Sequence, residues 1–531
     1  MRLLFVRPSI LALVVVLAVA PHARSAAQTR SAGRAPEHAK QYKRLLIRHA
    51  MIVYGNAKPP YGPLDILLED GLIARIGNSE GRGGDPWPAA DAEIDATGKY
   101  VMPGLVNTHM HWHEGRQPGI PQPIQYERNL YLATGTTTAR EVGGDTAKTR
   151  QWREESHAHT IVAPRILMWN RPNLGRNRTP DEIRAGVRQA KADGYDGLKI
   201  GGLDRDQLEA LLDEAKKVGL CTATHIAVEE TTARDYVDLG VCSIEHFYGV
   251  GDAALEGIQD FPPEHNANNE IHRFGRAGEL YTQARPEKLM AFVEYMAQKG
   301  VGWSPTLSIY EASRDIIRSQ NLPWYKDWLH PSMEAYWQPS LLNHGSYFGG
   351  WTTTQEARWK HNYRVWMDSL VHFARSGGLV TVGDDAGYIW SLYGFGMIRE
   401  LELHEEAGFH PLEVLRHATW NGAKMVGLGD RIGKVRQGYL ADLLVINGNP
   451  VENLRVLNPY GVEIMTYDGR PVSSYAPVAP GDPKVGFARG GGIEWTIKDG
   501  IPYHVPVLMK EVRDMVARAR AERGPGAASV R

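Results

Sequence analysis

Short apolar segments alternate with longer amphipathic segments across the middle of the chain. The apolar segments predict strands, and the segments with apolar positions three and four apart predict helices. The strand segments are TGTTTAREVG, PRILMWN, YDGLKIGG, LCTATHIAV, VCSIEHF, VGWSPTLS and GLVTVGDDAG, and the helical ones include PDEIRAGVRQAKADG, DRDQLEALLDEAKKVG, PEKLMAFVEYMAQKG and RELELHEEAG. Repeated strand–helix units predict a parallel sheet. The apolar stretch Tyr100 to Val106 adds an eighth strand. The pattern thus predicts an α/β fold with a (β/α)8 TIM barrel, and a doubly wound open sheet is the alternative.

Strand-like patterns also occur towards both ends of the chain. They predict a small β-sandwich domain built from residues 43–102 and 424–478, beside a barrel domain of residues 103–423. Residues 307–375 of the barrel domain form an insertion dense in Trp and Tyr, which is either a lid over the pocket or a subdomain with its own core. Residues 479–531 are predicted to be a C-terminal extension.

The first residues have the pattern of an export signal. Arg2 and Arg7 precede an apolar run at 10–20, which small residues follow. This pattern predicts a cleaved signal peptide, residues 1–27, and a mature protein that is periplasmic or secreted. The run is short for a membrane span, so an uncleaved anchor is the less favoured alternative. Residues 28–42 are polar and predicted to be flexible.

Charge and cysteine content narrow the class of protein. The formal net charge of −1 over 531 residues gives no reason to expect a nucleic-acid partner. Cys221 and Cys242 are the two cysteines, too few for a disulfide framework. Each lies four residues before a histidine, so we expect both thiols to point into the barrel. We expect packed free thiols, with a disulfide as the alternative.

Two histidines mark the first candidate site. His109 and His111 occur in the run MPGLVNTHMHWHEG, directly after an apolar stretch. Residues i and i+2 of a strand project from the same face, so the two imidazoles would converge at the end of the strand. Imidazole suits zinc and other late first-row divalent metals. Taken alone, the pair could also be two loop histidines without a common role.

Further polar residues follow other predicted strands, where the active sites of such barrels lie. These residues are Lys199, His225, His246 and Asp385. With the histidine pair they make six metal-competent groups at the ends of five strands. Two divalent ions could be held in this way, provided that a group bridges them.

Eight motifs carry a resemblance to a known family. They are PGLVNTHMH, GTTTAREVGG, DGLKI, THIAVE, IEHFYG, VGDDAG, HATWNGAKMVGL and IGKVRQGYLADLLVINGNP. With these motifs the chain resembles the amidohydrolase superfamily, closest to its imidazolonepropionase-like and Xaa-Pro-dipeptidase-like branch. The resemblance covers about residues 44–472 and implies a metal-dependent hydrolase.

The resemblance implies a role for each metal-competent residue. His109 and His111 match the first-strand pair, which binds the more buried metal. Lys199 matches the fourth-strand lysine, which CO2 converts to a carbamate that bridges both metals. A carbamate is an anion, so it suits a place between two cations where an ammonium would not.

The remaining ligands follow from the same resemblance. His225 and His246 match the ligands of the second metal, and Asp385 matches the aspartate that binds metal and shuttles the proton. Asn107 stands where the family usually has Asp, and the family's Gly-Thr/Ser-Asp reads Gly-Asp-Asp here, so Asp384 is an alternative to Asp385. Without a carbamate, a one-metal site of His109, His111, His225 and Asp385 remains open.

Two further residues are weaker candidates for catalysis. Tyr248, two residues after His246, could donate to the substrate or to an oxyanion, or it could only pack. Arg140 could meet a substrate carboxylate, although a structural ion pair is favoured.

Together these features predict a metal-dependent hydrolase that cleaves C–N bonds of amides or peptides through a metal-activated hydroxide. We expect dipeptides or N-acyl amino acids as substrates, and two divalent metal ions, preferably zinc, as cofactors. Hydrolysis of lactones, esters or organophosphates at the same centre is the alternative activity, since the ligands do not choose between these bonds. An inactive binding protein on the same fold is the alternative class. We expect a small-molecule or short-peptide substrate and no stable membrane insertion after processing, and leave a homo-oligomer open.

Overall fold

A computed structural model describes most of the chain. The described residues are 34–79, 87–113, 122–172, 174, 177–226, 231–256, 272, 280–339, 348, 350–471, 479 and 481–523. The predicted signal peptide, residues 1–27, lies outside them, as does the end of the THIAVE motif. Within the described part, the helices are all too short or too polar to cross a membrane.

Eight parallel strands alternate with helices, in the order that the sequence predicts. The strands, counted along the chain, are Leu105–Met110, Thr136–Glu141, Arg165–Met168, Gly197–Ile200, Cys221–Thr224, Ser243–Glu245, Gly302–Ser304 and Leu379–Val380. The helices that follow them in turn are Ile124–Ala133, Thr146–His157, Pro180–Ala192, Arg205–Val218, Ala233–Asp238, Pro286–Gln298, Thr353–Arg375 and Phe395–Ala407. Pairing joins the first three strands into one sheet and the other five into a second sheet, which establishes an α/β fold.

Main-chain hydrogen bonds also connect the two parallel sheets to each other. Lys199 N donates to Trp169 O at 3.0 Å, between the third and fourth strands. At the other side, Thr108 N donates to Val382 O at 2.9 Å and Asp385 N donates to His109 O at 2.9 Å. These hydrogen bonds connect the two parallel sheets at both of their edges.

The start of the first parallel strand differs from the prediction. The apolar stretch from Tyr100 is divided at Gly104, so that Tyr100–Pro103 joins a different sheet and Leu105–Met110 is the parallel strand. A Cβ at Gly104 would lie 2.2 Å from the Thr137 hydroxyl, so the close approach of the second strand requires glycine here. The strand also runs on to Met110, so His109 lies inside the strand and not after it.

Helix ends follow ordinary sequence signals. Pro180–Ala192 begins at Thr179, which exchanges hydrogen bonds with Glu182 in a capping box. Its apolar positions Ile183 and Val187 are fully buried, four residues apart on one helix face.

Segments from both ends of the chain build one eight-stranded sheet. Its strands are Arg44–Ile52, Tyr61–Glu69, Leu72–Gly77, Ala92–Asp95, Tyr100–Pro103, Leu443–Ile446, Ile493–Lys498 and Ile501–His504. The strand Leu443–Ile446 pairs antiparallel with Tyr100–Pro103 on one side and with Ile493–Lys498 on the other. A separate three-stranded sheet contains Val462–Tyr467, Arg470–Pro471 and Val485–Gly490.

Two predicted domain limits need correction. Part of the segment 479–531 is not an appendage, because Ile493–Lys498 and Ile501–His504 complete the eight-stranded sheet, and the helix Val505–Arg523 packs on Ile124–Ala133. The described part of the segment 28–42, predicted to be flexible, is anchored: Ala39 N donates to Pro502 O at 2.8 Å.

The aromatic insertion after the seventh strand packs into the main core. It contains Leu307–Ser313, Ile316–Gln320, Tyr325–Trp328 and Pro331–Tyr336, followed by the long helix Thr353–Arg375. Trp366 lies 5.0 Å from Phe247, ring centre to ring centre, and Trp337 lies 5.4 Å from Trp390. Because Phe247 and Trp390 follow the sixth and eighth strands, the insertion shares its core with the loops of the parallel strands.

Candidate metal centre

The predicted metal ligands lie at the carboxyl ends of the parallel strands. His109 and His111 come from the end of the first strand, and Lys199 lies within the fourth strand. The other three directly follow, or closely follow, the fifth, sixth and eighth strands: His225, His246 and Asp385. Parallel strands present these ends at one edge, which explains how residues far apart in sequence share one site.

Three imidazoles converge on the carboxylate of Asp385. Its Oδ1 lies 3.1 Å from His111 Nε2 and 3.7 Å from His109 Nε2, and its Oδ2 lies 3.9 Å from His246 Nε2. Ligand atoms of His109, His246 and Asp385 all lie within 4.8 Å of one another. Imidazole nitrogens and a carboxylate oxygen at such spacing suit a divalent metal ion.

The backbone at two of these ligands adopts the left-handed conformation. The φ angle is +63° at His246 and +44° at Asp385, values that non-glycine residues seldom adopt. In this conformation a side chain no longer follows the alternation of the strand before it. The consecutive residues Glu245 and His246 can therefore both point towards the candidate metal centre. Strain of this kind is typical of functional sites.

The second ring nitrogen of each histidine faces an oxygen from a different strand or loop. Nδ1 of His109 lies 2.6 Å from Glu245 Oε2, and Nδ1 of His246 lies 2.6 Å from Thr306 Oγ1. Nδ1 of His111 lies 3.4 Å from Glu141 Oε1. The hydrogen bonds at His109 and His246 fix the orientation of these two rings and leave their Nε2 atoms to bind a metal.

Sequence reasoning missed these three partners, Glu141, Glu245 and Thr306. Two of them carried a signal, since an acidic residue inside an apolar strand segment is unusual unless it is paired. Glu141 and Glu245 both have that position, and both are fully buried. Thr306 carried no signal of this kind.

The structure places Arg140 in a buried ion pair. Its side chain is fully buried, and Nη2 donates to both carboxylate oxygens of Glu245 at 2.8 Å. Its Nε donates to Thr108 O, and its guanidinium lies 4.8 Å from the Trp169 ring. Arg140 therefore forms an ion pair with Glu245, the arrangement that the sequence favours, and a catalytic role for Arg140 stays a prediction.

The buried histidines of the site are held neutral. Burial, together with the charge of Lys199, keeps the pKa values of His109 and His246 well below the usual range. A neutral imidazole has a free electron pair, which is the form that binds a metal.

Lys199 is a lysine without the partners that a buried ammonium needs. Its side chain is 2% exposed, and among the described residues its Nζ has no hydrogen-bond partner. Burial lowers the pKa of Lys199 to about 7. A neutral amine without a hydrogen bond is the form that reacts with CO2, so this residue fits a carbamate.

His225 and Tyr248 line one side of the centre. His225 is half-buried, and its ring lies 4.8 Å from that of His246. The Tyr248 ring stacks on His225 at 4.5 Å, and Tyr310 Oη donates to Tyr248 Oη at 3.1 Å. Tyr248 is thus beside a predicted ligand, in a place where a hydroxyl group could meet a substrate.

Asp384 points away from the histidines. Its Oδ1 accepts from Asn107 Nδ2 at 2.7 Å, and its Oδ2 accepts from Gly394 N at 3.2 Å. Burial raises the pKa of Asp384 to about 7. The geometry brings Asp385, and not Asp384, to the imidazoles. Gly383 allows this arrangement, because a Cβ there would lie 2.6 Å from that of His109.

The two cysteines are disulfide-bonded, so the expectation of free thiols is wrong. Pairing of Ala223 with Ser243 brings Cys221 and Cys242 to neighbouring positions, 5.6 Å apart between Cα atoms. That separation lies within the range that a disulfide spans. The bond ties the fifth and sixth strands together below His225 and His246.

Comparison with known proteins gives both sequence and structural similarity. Residues 376–472 match the model of the Amidohydrolase family. A dihydroorotase of Trichlorobacter lovleyi is 36% identical over 76 residues, which are 14% of this chain and 15% of that protein. The matched segment thus spans only about 15% of that relative.

Solved structures match over a much larger part of the chain. A Xaa-Pro dipeptidase with bound methionine in the active site has a TM-score of 0.58 and 18% identity, over 87% of this chain and all of that chain. A bottromycin amidohydrolase has a TM-score of 0.63 and 17% identity, over 91% of this chain and 92% of that chain. At these identities the likeness establishes the shared fold. The family-model match together with this fold confirms the predicted resemblance to the amidohydrolase superfamily, and the fold is the one that the Xaa-Pro dipeptidase structure has.

Proposed function

We propose that this protein is a metal-dependent hydrolase that cleaves C–N bonds in dipeptides or N-acyl amino acids. The observation that carries the proposal is the convergence of three imidazoles on Asp385, beside a buried lysine whose Nζ has no hydrogen-bond partner among the described residues. Residues of these types at the carboxyl ends of parallel strands are typical of a hydrolytic metal centre.

The residues divide into two sets of ligands. His109, His111 and Asp385 would hold the more buried ion, and His225 with His246 would hold the second. Carboxylated Lys199 would bridge the ions, its neutral amine having formed an N–C bond to CO2 with loss of one proton. Zinc suits the imidazole-rich set. When bound, such ions lower the pKa of water and polarise a carbonyl group.

The protein side chains supply the proton transfer and the orientation. A carboxylate oxygen of Asp385 accepts the proton of the attacking water and returns it to the leaving nitrogen, which departs as an amine. Tyr248 Oη accepts a hydrogen bond from Tyr310, so its own hydrogen is directed elsewhere, and we assign it to the substrate carbonyl. The buried pairs behind the histidines keep the rings fixed while the substrate changes.

The names of the relatives support a C–N bond as the target. A dihydroorotase and a Xaa-Pro dipeptidase both act on such bonds in the sense of their names. The ligands alone do not select an amide over an ester or a phosphotriester. The assignment therefore depends on the substrate test below.

The proposal also includes the closure of the barrel and the location of the protein. We infer that the eight strands close into a (β/α)8 barrel, which the hydrogen bonds on both sides of each parallel sheet support. We also propose an exported location, on the charged and apolar pattern of residues 1–27.

The test is a hydrolysis screen combined with metal analysis. The full chain, loaded with zinc in bicarbonate buffer, is assayed on dipeptides, N-acyl amino acids, a lactone and a phosphotriester. We expect two equivalents of zinc and turnover of the C–N substrates, and the Asp385→Asn variant as a control should be inactive. Turnover of the lactone or phosphotriester alone would assign the alternative activity. Binding of amides without any turnover would indicate a binding protein.

A further inference from the structure

One turn of the backbone contacts the candidate metal centre from behind. Its central residue is Thr306, which follows the seventh strand and precedes the helical segment Leu307–Ser313. Oγ1 of Thr306 lies 2.6 Å from Nδ1 of His246, and the Thr306 side chain is fully buried. The position of this turn therefore decides whether the hydroxyl group can meet one ring of the site.

The turn has a backbone conformation that its own residue type does not favour. The φ angle of Thr306 is +51°, in the left-handed region, where a residue with a β-branched side chain is a rare exception. Such a conformation persists only where the surrounding structure imposes it. We therefore looked for the side chain that holds this turn from outside.

That side chain is Glu400. One of its carboxylate oxygens accepts from Leu307 N at 2.8 Å, and the other accepts from Ser308 N at 2.6 Å. These two amides come directly after Thr306, at the start of a helical segment, where backbone N–H groups lack partners within the segment. Glu400 comes from the helix Phe395–Ala407, which follows the eighth strand, and is fully buried. A carboxylate accepts such hydrogen bonds more strongly than a neutral group does.

A second contact ties the same helix to the other end of the segment. Arg399 donates to the two carboxylate oxygens of Glu311 at 2.8 and 2.6 Å, and both side chains are buried. Glu311 lies near the end of the segment, whereas Glu400 holds its beginning, next to Thr306. The chain thus offers two buried glutamates that hold one segment, of which one contacts the turn beside His246.

We propose that Glu400 is a positioning residue of the metal centre: it fixes the turn that presents the Thr306 hydroxyl group to His246. In this way it sets the affinity for the ion that His246 holds. The inference rests on the proposed function, which assigns His246 to the second ion. A hydrogen-bond partner of a ligating histidine fixes the orientation of its ring, and loss of that partner weakens metal binding. Glu400 acts one step further out, through the backbone of the turn.

A double-mutant cycle on zinc affinity tests whether Glu400 acts through Thr306. Zinc binding to the full chain in bicarbonate buffer is measured by competition with a chromogenic chelator, without substrate. Thr306→Val keeps the shape of the side chain and removes the hydroxyl group, so it should weaken one of the two zinc equivalents by about 10- to 100-fold. Glu400→Gln places an amide N–H against a backbone N–H, so it should weaken the same equivalent by about 10-fold.

The double variant separates positioning from a general loss of structure. If Glu400 acts through Thr306, Thr306→Val/Glu400→Gln should bind zinc within about twofold of Thr306→Val alone. Multiplication of the two single effects would overturn the inference, because independent sites add their free energies. Thr306→Ser keeps the hydroxyl group and should bind zinc almost as tightly as the wild-type protein. Glu400→Asp keeps the charge on a shorter side chain, should show a smaller loss, and takes the place of Glu400→Gln in the cycle if that protein does not fold.

Glu311→Gln is the matched control variant. It also removes a buried carboxylate that holds the segment, but at the end away from Thr306. It should unfold at a lower temperature than the wild-type protein and keep the affinity for both zinc equivalents. A loss of zinc affinity as large as that of Glu400→Gln would overturn the inference, and so would unchanged zinc affinity in both Glu400 variants.

The zinc titration also separates this inference from the proposed function. If the wild-type protein binds two zinc ions and cleaves no C–N substrate, the proposed function is wrong, and a non-additive cycle still supports the role of Glu400. If it cleaves C–N substrates and the two substitutions act independently, the proposed function stands and the role of Glu400 is wrong. A wild-type protein that binds no zinc would overturn both.

Discussion

His109 Nδ1 lies 2.6 Å from Glu245 Oε2, and both side chains are buried. The contact joins the first and sixth strands, and Arg140 compensates the carboxylate from the other side. Glu245→Gln should weaken zinc binding by about 10- to 100-fold, because an amide orients the imidazole less strongly than a carboxylate. Competition with a chromogenic chelator measures the change.

The same substitution leaves Arg140 charged and uncompensated in the interior, so the stability should fall as well, by about 3–5 kcal/mol. The double variant Arg140→Met/Glu245→Gln separates the two effects. It should recover stability and keep the weak zinc binding. If it regained both, orientation of His109 would not be the role of Glu245.

Lys199 should make metal loading dependent on CO2 and on pH. Burial lowers the pKa of Lys199 to about 7, so the fraction of neutral amine rises as the pH rises through 7. Metal-free protein should regain activity in zinc with bicarbonate and regain little in zinc without it. The activity that the metal-free protein regains should increase from pH 6 to pH 8. Lys199→Met should bind at most one equivalent of zinc, and two equivalents would exclude a bridging role.

Substitution of the two neighbouring aspartates should have different effects on turnover and on zinc binding. Asp385→Asn should abolish turnover, because it removes both the ligand oxygen and the proton acceptor. Asp384→Asn should keep zinc and most of the activity, since its carboxylate contacts Asn107 and Gly394. The measurement is kcat with the zinc content of each variant. An inactive Asp384→Asn protein beside an active Asp385→Asn protein would reverse the assignment.

Removal of the disulfide should lower stability without removing the ligands. Cys221 and Cys242 are 21 residues apart in sequence. A disulfide typically stabilises the folded state by about 2–4 kcal/mol. Cys221→Ser/Cys242→Ser should unfold at a lower temperature than the wild-type protein and bind zinc almost as tightly. Thiol titration of the unfolded wild-type protein should find no free thiol before reduction and two after it.

Asp252 should make stability fall between about pH 4 and 6. Burial raises its pKa to about 6 from the model-compound value of 3.8. In that interval the folded state keeps a proton that the unfolded state has lost, so stability decreases as the pH rises. Asp252→Asn should therefore be more stable by about 1–3 kcal/mol at pH 7.5 and equal to the wild type below pH 4. Denaturant unfolding at both pH values tests this, and equal stability of the two proteins at pH 7.5 would contradict it.

The clustering of the candidate ligands was predictable because strand ends are visible in sequence. His109, Lys199 and His246 each occur with a short apolar run, and parallel strands bring such ends together. Partners from distant segments were not predictable in this way. His109 and Glu245 are 136 residues apart, and no local pattern pairs them.

Two local errors have the same physical origin. The division of an apolar stretch at Gly104 depends on how closely Thr137 approaches from the next strand. The disulfide depends on the register of Ala223 against Ser243. Both are contacts between strands, and periodicity within one strand does not contain them.

The position of Leu443–Ile446 inside the eight-stranded sheet also has a consequence for biosynthesis. Tyr100–Pro103 pairs with this strand, so one of its edges stays open until the ribosome has made residue 443. An open strand edge favours aggregation and pairing with other chains. We therefore expect this edge of the sheet to close only when about the last sixth of the polypeptide is being made.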